Sequence, residues 1–142
     1  MRFMITANPD PNAPKADEAP FDEALFAAYM TFNEELHNAG VLVVSEGLNP
    51  AGKSSRVGVK GGKRTVLDGP FAESKELIGG FYLIDVKSHD EAVKWAMKVP
   101  VGFGSAAILT ILPMTNASDI PPDLLALMKK AAPAWSAIFA RD

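Results

Sequence analysis

Two histidines, no cysteine and a scatter of carboxylates set the chemical repertoire of this 142-residue chain. Without cysteine there is no disulfide, thiolate nucleophile or cysteine metal site. His37 follows Glu34 by three residues, the Glu-x-x-His spacing of metal sites in helical bundles. Such a site needs a second copy on a facing helix, and the helical stretch after Ser88 has none. A solvated histidine near a helix C-terminus is the plainer reading of His37. His89 falls inside a capping box and is expected at the surface. A Ser-His-Asp set can be written on paper, but no Gly-x-Ser-x-Gly elbow supports it. Gly58-Val59-Lys60-Gly61-Gly62-Lys63 does not have the Walker spacing. The expectation is therefore no metal and no redox or nucleotide cofactor.

Carboxylates and phenols remain, and Asp68 stands first among them. A carboxylate at a strand end beside Pro70 and Phe71 is expected to be partly desolvated, which raises its pKa toward that of a useful general acid or base. The competing reading is an Asp that hydrogen-bonds the backbone of its own turn. Tyr29 lies on the apolar face of the first helix, where it packs in the core and its hydroxyl needs a partner. It is the second candidate for acid-base work. Lys53, Arg56, Lys60, Lys63 and Arg64 form a basic run with no acid between Glu46 and Asp68. That run suits an anionic ligand, yet it lacks interleaved aromatics for stacking on bases. Lysines on an exposed hairpin also block edge-to-edge aggregation.

The elements that must position these residues follow from periodicity. Phe3 to Ala7 reads as a strand. Asn8 to Pro20 carries Pro9, Pro11, Pro14 and Pro20 and reads as a loop. Phe21, Leu25, Ala28, Tyr29, Phe32 and Leu36 share one helical face. Asp22 and Glu23 favour the start of that helix, and Gly40 suits its C-terminal cap. Val41 to Ser45 is a β-branched strand. Arg56 to Val59 and Arg64 to Leu67 flank a Gly61-Gly62 hairpin turn. Gly80 to Val86 is the clearest strand.

Ser88 and Glu91 then form a capping box ahead of a helix bearing Ala92, Trp95, Ala96 and Val99 on one face. Ala106 to Leu112 is a last strand, and helical pieces are expected around 123–130 and 134–140. The order β-α-β, hairpin, β-α-β predicts an α+β fold of the ferredoxin-like sandwich type, helices on one face of an antiparallel sheet. Several strands are apolar on both sides, and two helices cover only one sheet face. A second subunit or the C-terminal tail must bury the other, and a homodimer is the preferred solution.

Asp68-Gly69-Pro70-Phe71, Glu73-Ser74-Lys75-Glu76 and Gly79-Gly80-Phe81-Tyr82 together resemble the signature of DGPF domain proteins of the YCII-related family. The resemblance covers residues 1–114 and leaves 115–142 as a C-terminal helical extension. It implies the same sandwich, paired sheet to sheet as a dimeric α/β barrel. It implies an active site built from a histidine on the first helix and an aspartate. Tyr29 occupies the best-matching helix position here, which weakens a His-Asp mechanism. Glu73, Lys75 and Glu76 belong to a solvated loop that is placed to act as a lid over Asp68.

Related folds host lactone isomerases and cofactor-free monooxygenases. The reading is a protein binding a small organic molecule in a pocket near Asp68, with acid-base chemistry as an extension. The alternative implied by the resemblance is a non-enzymatic regulatory or sensing partner of an extracytoplasmic-function sigma factor. Apolar residues at 48%, charged residues at 22% and a net charge of -3 describe an ordinary globular chain with no general drive toward nucleic acid. No run approaches the roughly 20 apolar residues of a membrane span, and a cytoplasmic location is expected.

Overall fold

The N-terminal strand takes the middle of the main sheet, hydrogen-bonded to a neighbouring strand along both of its edges. A computed structural model describes residues 1–9, 22–49, 53–69, 71, 78–100 and 106–139. Chain order is β1 (Arg2–Pro9), α1 (Glu23–Asn38), β2 (Leu42–Gly47), β3 (Ser55–Lys60), β4 (Lys63–Asp68), β5 (Gly80–Asp85), α2 (His89–Ala96), β6 (Ala106–Pro113), α3 (Pro122–Ala131) and α4 (Pro133–Phe139), with a short 3-10 turn at Ala117–Asp119. Four strands form an antiparallel sheet in the order β2-β5-β1-β6, and β3 with β4 forms a separate two-stranded sheet. This mixed α+β architecture is compatible with a ferredoxin-like fold. The expected loop over Asn8 to Pro20 gives its first two residues to β1; residues 10–20 lie outside those described.

Local chemistry explains where the helices begin and end. The Asp22 carboxylate accepts from Leu25 N at 2.9 Å, so Asp22 caps α1 rather than sitting in its first turn. Gly40, with φ +70°, closes α1: Gly40 N donates to His37 O at 2.9 Å and Val41 N to Leu36 O at 3.2 Å. Ser88 caps α2 by accepting from Glu91 N at 3.2 Å. The expected capping box is altered, because the Glu91 carboxylate turns back one residue further and accepts from Lys87 N at 2.9 Å. Gly61 and Gly62 both have positive φ, +57° and +74°, as a two-residue hairpin turn matching strand twist requires.

Register assigns each side chain to a sheet face. Phe3 lies opposite Ile84 and Ile5 opposite Tyr82, and this quartet meets Phe32 and Leu36 of α1 and Ala92 and Ala96 of α2. Phe3, Ile5, Leu36 and Ile84 are almost wholly buried, and each contributes about 1.5–3 kcal/mol of transfer free energy. Residues at intervening positions, Met4, Thr6, Phe81, Leu83, Ile108 and Leu112, share the opposite face. Ile108 remains 62% and Leu112 44% exposed.

The C-terminal tail does not shield this end of the sheet. Its helices α3 and α4 pack chiefly on each other. The tail touches the sheet at Arg2, whose guanidinium lies 5.5 Å from the Phe139 ring centroid. Of the two covers anticipated for the second face, the tail leaves the β6 end open.

Strand β2 contains an irregularity. Leu42 pairs with Ile84 and Val44 with Leu83, so Val43 is an extra residue in a bulge. At the other end of this pairing Gly47 meets Gly80. A Cβ on Gly80 would stand 2.7 Å from the Glu46 carbonyl oxygen and 3.3 Å from Gly47 Cα. Both obstacles are backbone, so Gly80→Ala must push β2 away from β5. The expected loss of stability is about 1–3 kcal/mol, measured by urea denaturation. An unchanged midpoint would show that β2 yields freely.

Candidate functional site

Asp68 ends β4, directly opposite Ser55 at the start of β3. Ser55 Oγ donates to Asp68 Oδ1 at 2.6 Å, and Lys53 Nζ stands 3.2 Å from Oδ2. The Ser55 hydrogen bond, then the Lys53 ammonium, hold the Asp68 carboxyl below its ordinary pKa. This corrects the expectation of a desolvated carboxyl with a raised pKa. The hairpin stands clear of the core, so the carboxylate is solvated and ionised at neutral pH. Phe71 does not cover Asp68 in the anticipated way; its ring takes the Arg56 guanidinium at 4.2 Å from the centroid. A carboxylate so placed accepts hydrogen bonds or a proton, and is not a general acid near neutrality.

The turn after Asp68 is tight for a steric reason. Gly69 does not have positive φ. Its amide donates to Ser54 O at 2.8 Å, and a Cβ there would lie 2.6 Å from Ser54 Oγ and 3.2 Å from Ser54 O. Close approach between the two strand ends, rather than an unusual backbone angle, selects glycine. Pro70 and the lid expectation for Glu73, Lys75 and Glu76 lie outside the described residues.

Tyr29 belongs to a second constellation, at the seam between α1 and the sheet. Helical spacing places Tyr29, Phe32, Asn33 and Leu36 on one stripe. Across from them, Ser45 of β2 pairs with Tyr82 of β5. Ser45 Oγ donates to Asn33 Oδ1 at 3.1 Å. The Phe32 ring meets Tyr82 edge-on at 5.6 Å. Burial raises the Tyr29 phenol above its ordinary pKa. Burial, with the charge a Tyr29 phenolate would add, pushes Tyr82 up to about 12, partly offset by a hydrogen bond with Ser45. Both phenols are protonated at neutral pH. They are hydrogen-bond donors, suited to a carbonyl or an oxyanion rather than to proton abstraction.

The titration is directly observable because the chain has only two tyrosines. Tyrosinate absorbance is expected to develop above pH 10 in two steps, the later one near pH 12. Tyr29→Phe should move the Tyr82 step downward, since the Tyr29 charge is one of its causes. A folded-state pKa above the unfolded value means that neutral Tyr82 stabilises the protein fully below pH 10. That contribution is lost as pH rises through about 12. A single step at pH 10 with the fold intact would contradict the buried placement.

Asp68 and Tyr29 keep different partners among the described residues, Lys53 and Ser55 for one and Tyr82 for the other. His37 is exposed in the last turn of α1, and Glu34 accepts from Asn38 Nδ2 at 3.4 Å. His89 is the first residue of α2 and sets its ring against the edge of Phe3, 5.7 Å between centroids. Among the described residues no three histidine, aspartate or glutamate side chains gather as a metal site. Residue-by-residue reading passed over Asn33, Ser45 and Tyr82. The available signal was Ser45, a polar residue on an apolar strand.

The YCII-related domain family matches residues 1–115 of the chain. An uncharacterized protein of Rhizobium meliloti (strain 1021) is 32% identical over 96 residues, covering 68% of this chain and 77% of that protein.

Proposed function

Since this chain belongs to the YCII-related family, we propose that it acts as a cytoplasmic homodimer binding a small organic molecule, with Asp68 and Tyr29 as polar contacts. The observation that carries this reading is the gathering of Tyr29, Asn33, Ser45 and Tyr82 at the α1 seam. Two protonated phenols, an amide and a hydroxyl there offer convergent donors and acceptors beside apolar packing, the composition of a small-molecule site. Asp68 supplies the ionised carboxylate, as acceptor or as base in a proton transfer.

A thermal-shift screen of small carboxylic acids, lactones and phenols tests the binding. A true ligand raises the melting temperature of the wild-type protein, because it binds the folded state alone. The shift should shrink in Tyr29→Phe and in Asp68→Asn. A ligand whose shift survives both substitutions binds elsewhere, and the assignment fails.

The homodimer is supported by the sheet face that carries Met4, Phe81, Leu83, Ile108 and Leu112. Packing two such faces together closes a dimeric α/β barrel and removes exposed apolar surface from both copies. Light scattering at micromolar concentration should return about twice the 15.1 kDa chain mass. A mass of one chain would end the proposal.

A second reading keeps the chain non-enzymatic, as a regulatory or sensing partner of an extracytoplasmic-function sigma factor. The exposed valines of β3 and β4 favour it, being surface that a protein partner can cover. Titration of the purified protein with such a sigma factor, followed by sedimentation, separates the two readings.

A further inference from the structure

The β3–β4 hairpin is built unlike the rest of the molecule. Its two strands pack on each other and on no other element to a comparable extent, and every residue from Ser55 to Asp68 is exposed. Pairing of Val57 with Val66 and of Val59 with Arg64 puts three valines on one face. Those valines are 63%, 62% and 68% exposed for Val57, Val59 and Val66. Arg64 shares that face beside the turn, and the opposite face carries Arg56, Lys60 and Lys63 with Leu67, so the hairpin has a valine strip along its strands and a cluster of cations around its turn. A lone two-stranded hairpin is marginal in water, and a valine strip gains nothing by facing solvent. Something outside the chain's own core is needed to cover it.

We infer that this hairpin is an arm that clasps a second copy of the same chain, laying its valine strip on the partner and its basic tip against the partner's acidic body. The inference rests on the homodimer proposed above and names the surface that completes it. Charge selects the occupant. Residues 53–67 hold five cations and no acid, while the whole chain is -3, so the remaining residues carry -8. Lys60, Lys63 and Arg64 around the Gly61-Gly62 turn meet no carboxylate within their own chain among the described residues. Each copy thus owns one basic arm and one acidic body, and a two-fold exchange satisfies both at once. Nucleic acid is a poorer occupant, because no aromatic side chain stands on either strand of the arm.

Sedimentation equilibrium of wild type, of a Val57→Ser/Val59→Ser/Val66→Ser variant and of a Lys60→Glu/Lys63→Glu/Arg64→Glu variant tests the arm. All six positions are solvent-facing in the single chain, so both variants should keep the wild-type circular dichroism. The serine variant is expected to raise the dimer dissociation constant at least ~10²-fold. The charge variant should raise it ~10-fold or more at low salt, a difference that vanishes near ~1 M salt.

The chain lacks cysteine, so Val66→Cys carries a single benzophenone photocrosslinker and is read independently of the arm's stability. Irradiating the purified protein should join two copies, the label landing on the partner's peptides outside 53–67. A wild-type dimer whose dissociation constant neither variant moves overturns the arm and leaves the sheet-paired dimer standing. A wild-type monomer overturns both. Crosslinking confined to an added sigma factor, or dissociation constants unchanged while the serine variant alone stops binding anionic vesicles, also overturns it.

Discussion

Truncating Phe32 to alanine is expected to lower the free energy of unfolding by about 3–5 kcal/mol. Phe32 is 5% exposed and sits where α1 crosses the sheet. Its ring meets Tyr82 edge-on at 5.6 Å and lies 6.4 Å from Trp95 of the α2 helix. Removing it deletes apolar burial and two aromatic contacts and leaves a hole flanked by two large rings that cannot both move in. Phe32→Leu refills most of the volume and should cost less than half as much. Urea denaturation of the two variants measures the difference. The same hole should let water reach Tyr82, so its titration near pH 12 should fall toward 10 in Phe32→Ala. Equal losses for alanine and leucine would show that packing at this crossing is loose.

The second large effect concerns Asp68. For any proton transfer that the protein carries out on a bound ligand, Asp68→Asn is expected to lower kcat/KM by ~10²-fold or more. Asparagine preserves the shape and can still accept from Ser55, but it cannot take up a proton. The Lys53 pair it gives up is solvent-exposed, and such pairs contribute little to stability, so the melting curve should barely change. The pH profile supplies the sign. Because Ser55 and Lys53 hold the carboxyl below its ordinary value, a base role predicts activity that persists from neutrality down through the usual carboxylate range before it falls. Activity that rises as the solution is acidified, or that survives Asp68→Asn, would remove the residue from the mechanism.

Elements were legible in the sequence wherever a local rule governs them. Asp22, Gly40, Ser88 and the Gly61-Gly62 turn each act through bonds to residues a few positions away. Strand and helix boundaries therefore fell within a few residues of expectation, and the two-faced apolar pattern of the sheet was readable from alternation. Asp68 was recognised as a residue and misjudged in its surroundings. Its solvation depends on how far the hairpin stands from the core, which no neighbour in the sequence encodes. Gly69 shows the same limit, since the atoms that exclude its Cβ belong to Ser54, across the strand pairing. Asn33, Ser45 and Tyr82 come from three separate elements, and each looks unremarkable alone. Their meeting required the register.

That register has a hidden switch in the bulge at Val43. A strand is a binary device, in which each residue added or removed inverts the facing of everything beyond it. With Val43 as the extra residue, Val44 faces away from the helices and Ser45 faces α1, within reach of Asn33. In a regular strand the parity would be reversed: Val44 would stand beside Tyr82, and Ser45 would point out of the opposite side. The polar character of the α1 seam is thus set by a count of residues rather than by which residues are present. Ironing out the bulge with Val43 kept in the ladder would turn the seam apolar without changing one side chain, whereas deleting Val43 would leave Ser45 opposite Tyr82.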